Sequence, residues 1–205
     1  MKTIEEKAAL YYLKQTQVIC YPIPINTQHF TSDILFPGGH TPNRFIVCFS
    51  KADDVKGRKV SSPFDMRTRF FKKVAGERAK IWYLKSLSLS IDGKSVDPLA
   101  NGEMGEYDAT VQYFRFCKLM SADSAFFSTG ITYDDFRKSY ALFVYSLGAT
   151  PVDVYGMQNA TRTGTIRLEL SFSAPSEYTI FLICMSEFPC SVSIDRKRSV
   201  KVSSL

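Results

Sequence analysis

Long apolar runs are missing from this 205-residue chain. Its continuous stretches, such as Ala141 to Tyr145 and Ile180 to Met185, fall far short of the roughly 20 residues a helix needs to cross hydrocarbon, so no membrane insertion is expected. A secretory leader is not legible either, because Glu5 and Glu6 stand where such a signal needs its apolar stretch. Histidine is nearly absent: His29 and His40 are the two, and neither belongs to a Cys-x-x-Cys or His-x-x-x-His spacing, so no metal site is expected. No Gly-rich phosphate loop and no nucleophile elbow occurs, which removes the common nucleotide-binding and hydrolase signatures. The expectation is a protein that is not an enzyme and needs no cofactor.

The five cysteines are an odd number, and Cys20, Cys48 and Cys184 lie in apolar strand-like runs where a thiol behaves as a small buried hydrophobe. A disulfide framework is not expected. Cys48 with His40 as a catalytic pair loses to core packing for the same reason. The acidic pairs Asp53-Asp54 and Asp134-Asp135 raise metal-dependent nuclease chemistry as a remote reading. Each has a plainer role, the first offsetting basic neighbours and the second sitting at a helix start.

What the chain does have is aromatic residues and locally concentrated positive charge. Sixteen Phe, eleven Tyr and one Trp favour a strand-rich core, since aromatic side chains fit a pleated, half-buried surface. Lys51 to Lys85 carries eleven bases against four acids, which accounts for the whole net charge of +6. Such a field attracts phosphate without sequence preference. A solvated loop keeping a sheet edge soluble explains the same run. Within it, Arg67, Arg69, Lys72, Lys73, Arg78 and Lys80 are the candidate contacts to a polyanion or a neighbouring subunit.

Periodicity then organises the chain. Glu5 to Lys14 reads as a short helix, giving an N-terminal helical extension over residues 1–15 ahead of a single domain over 16–205. Thr16 to Tyr21 reads as an edge strand ended by Pro22 and Pro24. Arg44 to Ser50 reads as a core strand, followed by a long basic loop at about 51–80. Leu87, Leu89 and Ile91 alternate with serines up to the hairpin dipeptide Asp92-Gly93 and a short return over Lys94 to Val96. A helix is expected over Ala109 to Met120, capped by Asp108 and presenting Val111, Phe114 and Lys118. A helical turn should start at Thr132, with Asp134 and Asp135 at its positive end. Tyr140 to Leu147, Thr165 to Ser173, Tyr178 to Met185 and Ser191 to Ile194 read as four strands. Short strands with few helices predict an all-β chain, an antiparallel β-sandwich of jelly-roll type with one or two short helices.

The second half also carries a family likeness. Thr132 to Leu147, Gly164 to Pro175, Tyr178 to Glu187 and Val192 to Arg198 resemble the C-terminal jelly-roll half of the double-jelly-roll major capsid proteins of Maverick/Polinton elements and adintoviruses. There the same stretches run approximately D-F-x-x-G-Y-x-L-F-x-F-D-L, G-x-x-x-L-x-x-x-F-x-x-x-L-P and a close on I-D-R-N-R. Ser139, Ser146 and Lys197 stand in place of the family's Gly, Asp and Asn. Leu35 to Gly39 with Pro42 to Val47, and Leu89 to Gly93, are similar to two earlier family stretches. Ser62 to Met66 stands where the family has Asn-Pro-Phe-Asn-Phe. The likeness covers roughly residues 10–200 and implies a virus- or transposon-derived structural protein that acts by self-assembly. It further implies a homo-oligomer or other capsid subunits as partners, packaged nucleic acid beside the basic loop, and a place in the virion or inside the host cell, nucleus or cytoplasm. Family members carry another jelly roll ahead of this region, and here the chain is expected to begin almost where the second one would. Phe30, Phe126 and Phe127 are the candidate interface aromatics, with intradomain packing as their other role. A monomeric module that grips nucleic acid through the basic loop is the alternative.

Overall fold

The computed structural model describes residues 9–34, 36, 39–52, 83–96, 106–121, 130–148, 162–176, 179–194 and 200–204. In chain order its elements are β1 (Ala9–Ile23), β2 (His29–Ile34), β3 (His40–Thr41), β4 (Arg44–Lys51), β5 (Leu84–Ile91) and β6 (Lys94–Ser95). There follow α1 (Glu106–Ser121), α2 (Tyr133–Lys138), β7 (Phe143–Ser146), β8 (Arg162–Thr163), β9 (Ile166–Phe172), β10 (Ile180–Ile194) and β11 (Val200–Ser204). Every strand pairing is antiparallel. One sheet has the order β1-β10-β4-β7, with β11 also on β10; the second has the order β2-β9-β5-β6; β3 and β8 form a small ladder of their own.

The two larger sheets supply one core. Alternation decides which residues enter it: Ile166, Leu168, Leu170 and Phe172 of β9 are buried, while Arg167 and Glu169 between them are exposed. From the first sheet Phe45, Val47 and Phe49 of β4 join Leu182 and Cys184 of β10. Leu84, Leu87 and Leu89 of β5 are all fully buried, although Leu84 and Leu87 are an odd number of residues apart. A register irregularity between Leu84 and Ser86 takes up the extra residue and keeps all three leucines on the inner face. Strand β4 is buried on both faces, as its uninterrupted apolar run implies.

The turn at Asp92-Gly93 forms as the dipeptide predicts, with φ of 49° and 76°. Asp92 also reaches across the sheet, its Oδ1 accepting the Thr165 N–H at 2.9 Å. This explains Gly164, where an added Cβ would stand 2.7 Å from Asp92 Oδ2 and 3.0 Å from Ile91 Cγ2. At α2 the expected cap is complete: Thr132 Oγ1 accepts from the Asp135 N–H, and Asp135 Oδ2 accepts from the Thr132 N–H. Tyr113 of α1 packs edge-on against Tyr133, and Tyr113 and Phe116 both pack on Phe136; the Tyr113 hydroxyl donates to the Ile131 carbonyl. These contacts dock the two helices on each other, and α1 in turn packs against β7.

Several expectations are corrected. The helix read over Glu5 to Lys14 is strand in its described part: Ala9 to Lys14 pairs with Ile194 to Pro189 and is continuous with the expected edge strand. A segment this short holds few helical hydrogen bonds against a full ladder to β10, so pairing overrides local propensity. On α1 the buried residues are Ala109, Gln112, Phe116 and Leu119, whereas Phe114 is exposed; docking on Phe136 selects a different stripe from Val111, Phe114 and Lys118. The helix starts at Glu106, so Asp108 lies inside its first turn. Tyr178 to Met185 and Ser191 to Ile194 are not separate strands, since β10 runs through Pro189. On one side of β10 the partner β4 ends opposite Glu187 and β11 begins opposite Cys190, so the proline falls in the gap between two ladders.

Arg44 and Glu187 face each other across β4 and β10, with Nη1 and Oε2 3.3 Å apart and both side chains largely buried. Replacing Glu187 by Leu takes a carboxylate away from a buried guanidinium; the expected loss is about 1–3 kcal/mol in denaturant melts, with part recovered in the Arg44→Leu/Glu187→Leu double variant. Gly164→Ala displaces the Asp92 carboxylate from the Thr165 N–H, and a loss of about 1–2 kcal/mol is expected by the same measurement.

Candidate assembly surfaces

The two outward faces of the sandwich differ in kind. The second sheet presents a polar one. Arg167 on β9 makes two hydrogen bonds to Asp33 on β2, at 2.7 and 3.2 Å, and the guanidinium holds the Asp33 carboxyl below its usual range. Serines 86, 88 and 90 of β5 continue this face, and the Ser86 and Ser171 hydroxyls are hydrogen-bonded to each other. A shallow depression of about 470 Å³ lies here, bordered by Asp33, Ser88, Ser90, Asp92, Arg167 and Glu169. Arg167 and Asp33 are already paired here, and water competes for every polar group on this face.

Past the Thr16-Glu187-Arg44 row, which holds the ion pair, the outward face of the first sheet is apolar. Directly paired residues in an antiparallel ladder point the same way, so β1, β10 and β4 set three rows across the sheet: Val18-Met185-Ile46, Cys20-Ile183-Cys48 and Pro22-Phe181-Ser50. None of these nine residues is charged. Exposure falls along each row, from Val18 at 58% on the edge strand to Ile46 at 5% on β4, with Met185 between them half-buried. The face is thus dry over β4 and wet over β1. An uncharged apolar strip beside a strand edge that has no partner strand among the described residues is the kind of surface that soluble proteins keep small unless something covers it.

Three cysteines lie around this strip: Cys20, expected inside from its apolar run, is exposed because β1 is the outer strand, whereas burial makes Cys48 and Cys184 inert. Burial, with a smaller contribution from Cys20, pushes the Cys48 thiol up from 9.0 to about 12. Burial does the same for Cys184, helped by Cys48 and Cys20. Both remain thiols at neutral pH, which removes the nucleophilic reading of Cys48.

The residues singled out from the sequence scatter. Phe30 sits half-buried on β2 opposite Leu170 and packs against the core. Phe126 and Phe127, the basic candidates Arg67, Arg69, Lys72, Lys73, Arg78 and Lys80, and the pair Asp53-Asp54 lie outside the described residues. Asp135 forms the α2 cap and Asp134 stands in the same first turn, 3.8 Å from Arg137. Among the described residues no group of three His, Cys, Asp or Glu is placed to hold a metal ion, and no helix is long and apolar enough to cross a membrane. The apolar rows are not legible in the sequence because each is assembled from strands far apart in the chain. Period-two alternation on β10 marks which residues share a face, but not which strands lie beside it.

No protein-family profile matches the chain, and no curated protein matches its sequence. Solved structures do match by fold. The chain aligns over 97% of its length with 52% of a chain in the quasi-atomic model of the PBCV-1 virus capsid, at a TM-score of 0.53 and 10% identity. It aligns over 97% of its length with 39% of a chain in the 3.5 Å cryo-EM structure of the Sputnik virophage, at a TM-score of 0.55 and 10% identity. The chain therefore spans about half or less of the structures it matches. At such identity the likeness establishes the fold, an antiparallel jelly-roll β-sandwich.

Native thiol chemistry tests the burial argument. Iodoacetamide at pH 8 is expected to leave Cys48 and Cys184 unmodified in the folded protein and to label both in denaturant, as read by peptide mass spectrometry. Because their folded-state pKa values are raised, the unfolded chain ionises these thiols first as pH rises past 9.0. Stability should therefore fall between pH 9.0 and about 12, and these two groups contribute no loss below pH 8.

Proposed function

We propose that the chain is a structural, capsid-like protein of viral or transposon origin that works by self-assembly and performs no catalysis. The observation that carries this reading is the fold likeness of almost the whole chain to part of a virus capsid chain. The likeness to Maverick/Polinton and adintovirus capsid proteins, drawn from residue motifs, points the same way. The uncharged rows Val18-Met185-Ile46 and Cys20-Ile183-Cys48 supply a physical means, since burying such a strip releases water without desolvating a charge.

On this reading the partners are further copies of the chain or other capsid subunits, and the place of action is the virion. The chain acts as one jelly-roll unit that includes β1 from Ala9 onward. The bases Arg67, Arg69, Lys72, Lys73, Arg78 and Lys80 lie toward packaged nucleic acid or an acidic neighbouring subunit, and Phe30, Phe126 and Phe127 add aromatic contacts between subunits.

The purified chain is expected to form assemblies whose mass grows with concentration in light scattering. These should persist or strengthen as salt rises, because apolar contacts are not screened. Val18→Glu and Ile183→Lys should each raise the concentration needed for assembly at least tenfold. A mass that stays at 23.2 kDa through the accessible concentration range, or assemblies dispersed by 0.5 M salt, would overturn the reading.

A further inference from the structure

The strands β1 and β10 are 15 residues long, while β2, β9 and β5 of the facing sheet have six, seven and eight. Among the described residues the first sheet therefore outruns the second, and the end of their overlap can be located. Phe188 is the last inward residue of β10 with an aromatic partner: Phe36 packs edge-on against it at 5.1 Å between ring centres, and against Phe45 at 6.4 Å. Beyond it β10 continues for about 20 Å, flanked by β1 on one side and β11 on the other.

This three-stranded extension keeps the inner face's character. Register puts Tyr11, Val192 and Val202 in one row, Ile194 beside Val200 in the next, and Leu13 beside Cys190 at its root. Cys190 is buried and Val192 half-buried; Leu13, Tyr11, Ile194, Val200 and Val202 are 37–70% exposed. The reverse face of the extension carries Lys14, Ser191, Ser193 and Lys201. The exposed side chains leave on the order of 500 Å² of apolar surface in water, at the upper end of what a monomer shows.

We propose that this face is a self-association surface, on which the same face of a second copy of the chain packs about a two-fold axis. The occupant follows from three properties. The face carries no charge, so a two-fold brings no like charges together in a protein of net charge +6, which repels its own copies elsewhere. An apolar sheet face about 20 Å long asks for another of the same size, and the second copy's extension supplies it at the usual sheet-to-sheet spacing. The chain segments next to it are poor covers, because residues 1–8 include Lys2, Glu5, Glu6 and Lys7, and 195–199 include Asp195, Arg196, Lys197 and Arg198. Two such patches bury about 1,000 Å² between them, the lower end of what a specific interface needs, and their rims add to it. The proposal names one contact of the structural role argued above and rests on that reading.

Sedimentation velocity of the full chain from 1 to 200 µM provides the test, with Val202→Glu and Leu13→Glu as disrupting variants and Ser193→Glu as the control on the reverse face. Val202 and Leu13 are exposed, so melting temperatures should be unchanged, and circular dichroism checks that the variants fold. A dimer in the unmodified chain and in Ser193→Glu, weakened at least tenfold by either disrupting variant and insensitive to 0.5 M salt, supports the proposal. A species of one copy at every concentration overturns it, as does a dimer that both disrupting variants leave intact. The two readings separate cleanly. Larger assemblies that survive Val202→Glu and Leu13→Glu unchanged but are lost in Val18→Glu sink this surface and leave the structural role standing. A dimer lost in Val202→Glu with nothing larger ever forming does the reverse.

Discussion

Everything in this sandwich hangs on the ladder that β10 makes with three other strands. It pairs with β1 along its whole length, with β4 over Ile180 to Glu187, and with β11 over Cys190 to Ile194. The first of these partners recruits an N-terminal segment that would not hold a regular conformation alone. The second places Phe45, Val47 and Phe49 opposite the leucines of β5 and β9, which creates the core. The third carries the sheet past the end of that core. A single strand thus sets the sheet's order, the depth of the interior and the extent of apolar surface left outside it.

Because the two sheets differ in length and in composition, the molecule presents three kinds of surface. The short sheet ends in serines and a paired Asp33 and Arg167, a face that water solvates well. The long sheet shows an uncharged strip over β1 and β10, and beyond Phe188 an uncharged overhang on its other side. No cleft with converging acids or reactive thiols is formed among the described residues, and Cys48 and Cys184 are held as thiols by burial. The apolar area left in water thus belongs to the long sheet. The fold is shared with part of a virus capsid chain.

Much of the architecture was legible before the structure. Asp92-Gly93, the Thr132 cap with Asp135, the alternation of β9 and the unbroken apolar run of β4 each depend on residues within a few positions of one another, and each forms as read. The misreadings share a cause. Ala9 to Lys14 has a pattern compatible with either helix or strand and becomes strand only because Ile194 to Pro189 lies beside it. The aromatic residues of α1 offer two stripes, and Phe136 decides between them. The surfaces were less legible still: charge clusters and single aromatics stood out in the sequence, while the rows through Val18 and Val202 are assembled from three strands each.

Local chemistry was enough to say that this chain is rich in strand, where the Asp92-Gly93 turn falls, and which side of β5 and β9 is dry, since those follow from chain geometry and side-chain size at neighbouring positions. Which strands meet, how far one sheet overruns the other, and hence where apolar surface is left exposed, came from hydrogen-bonded pairing between segments distant in the chain. Such pairing is a competition among all possible partners for the same backbone groups, and only the folded molecule records its outcome.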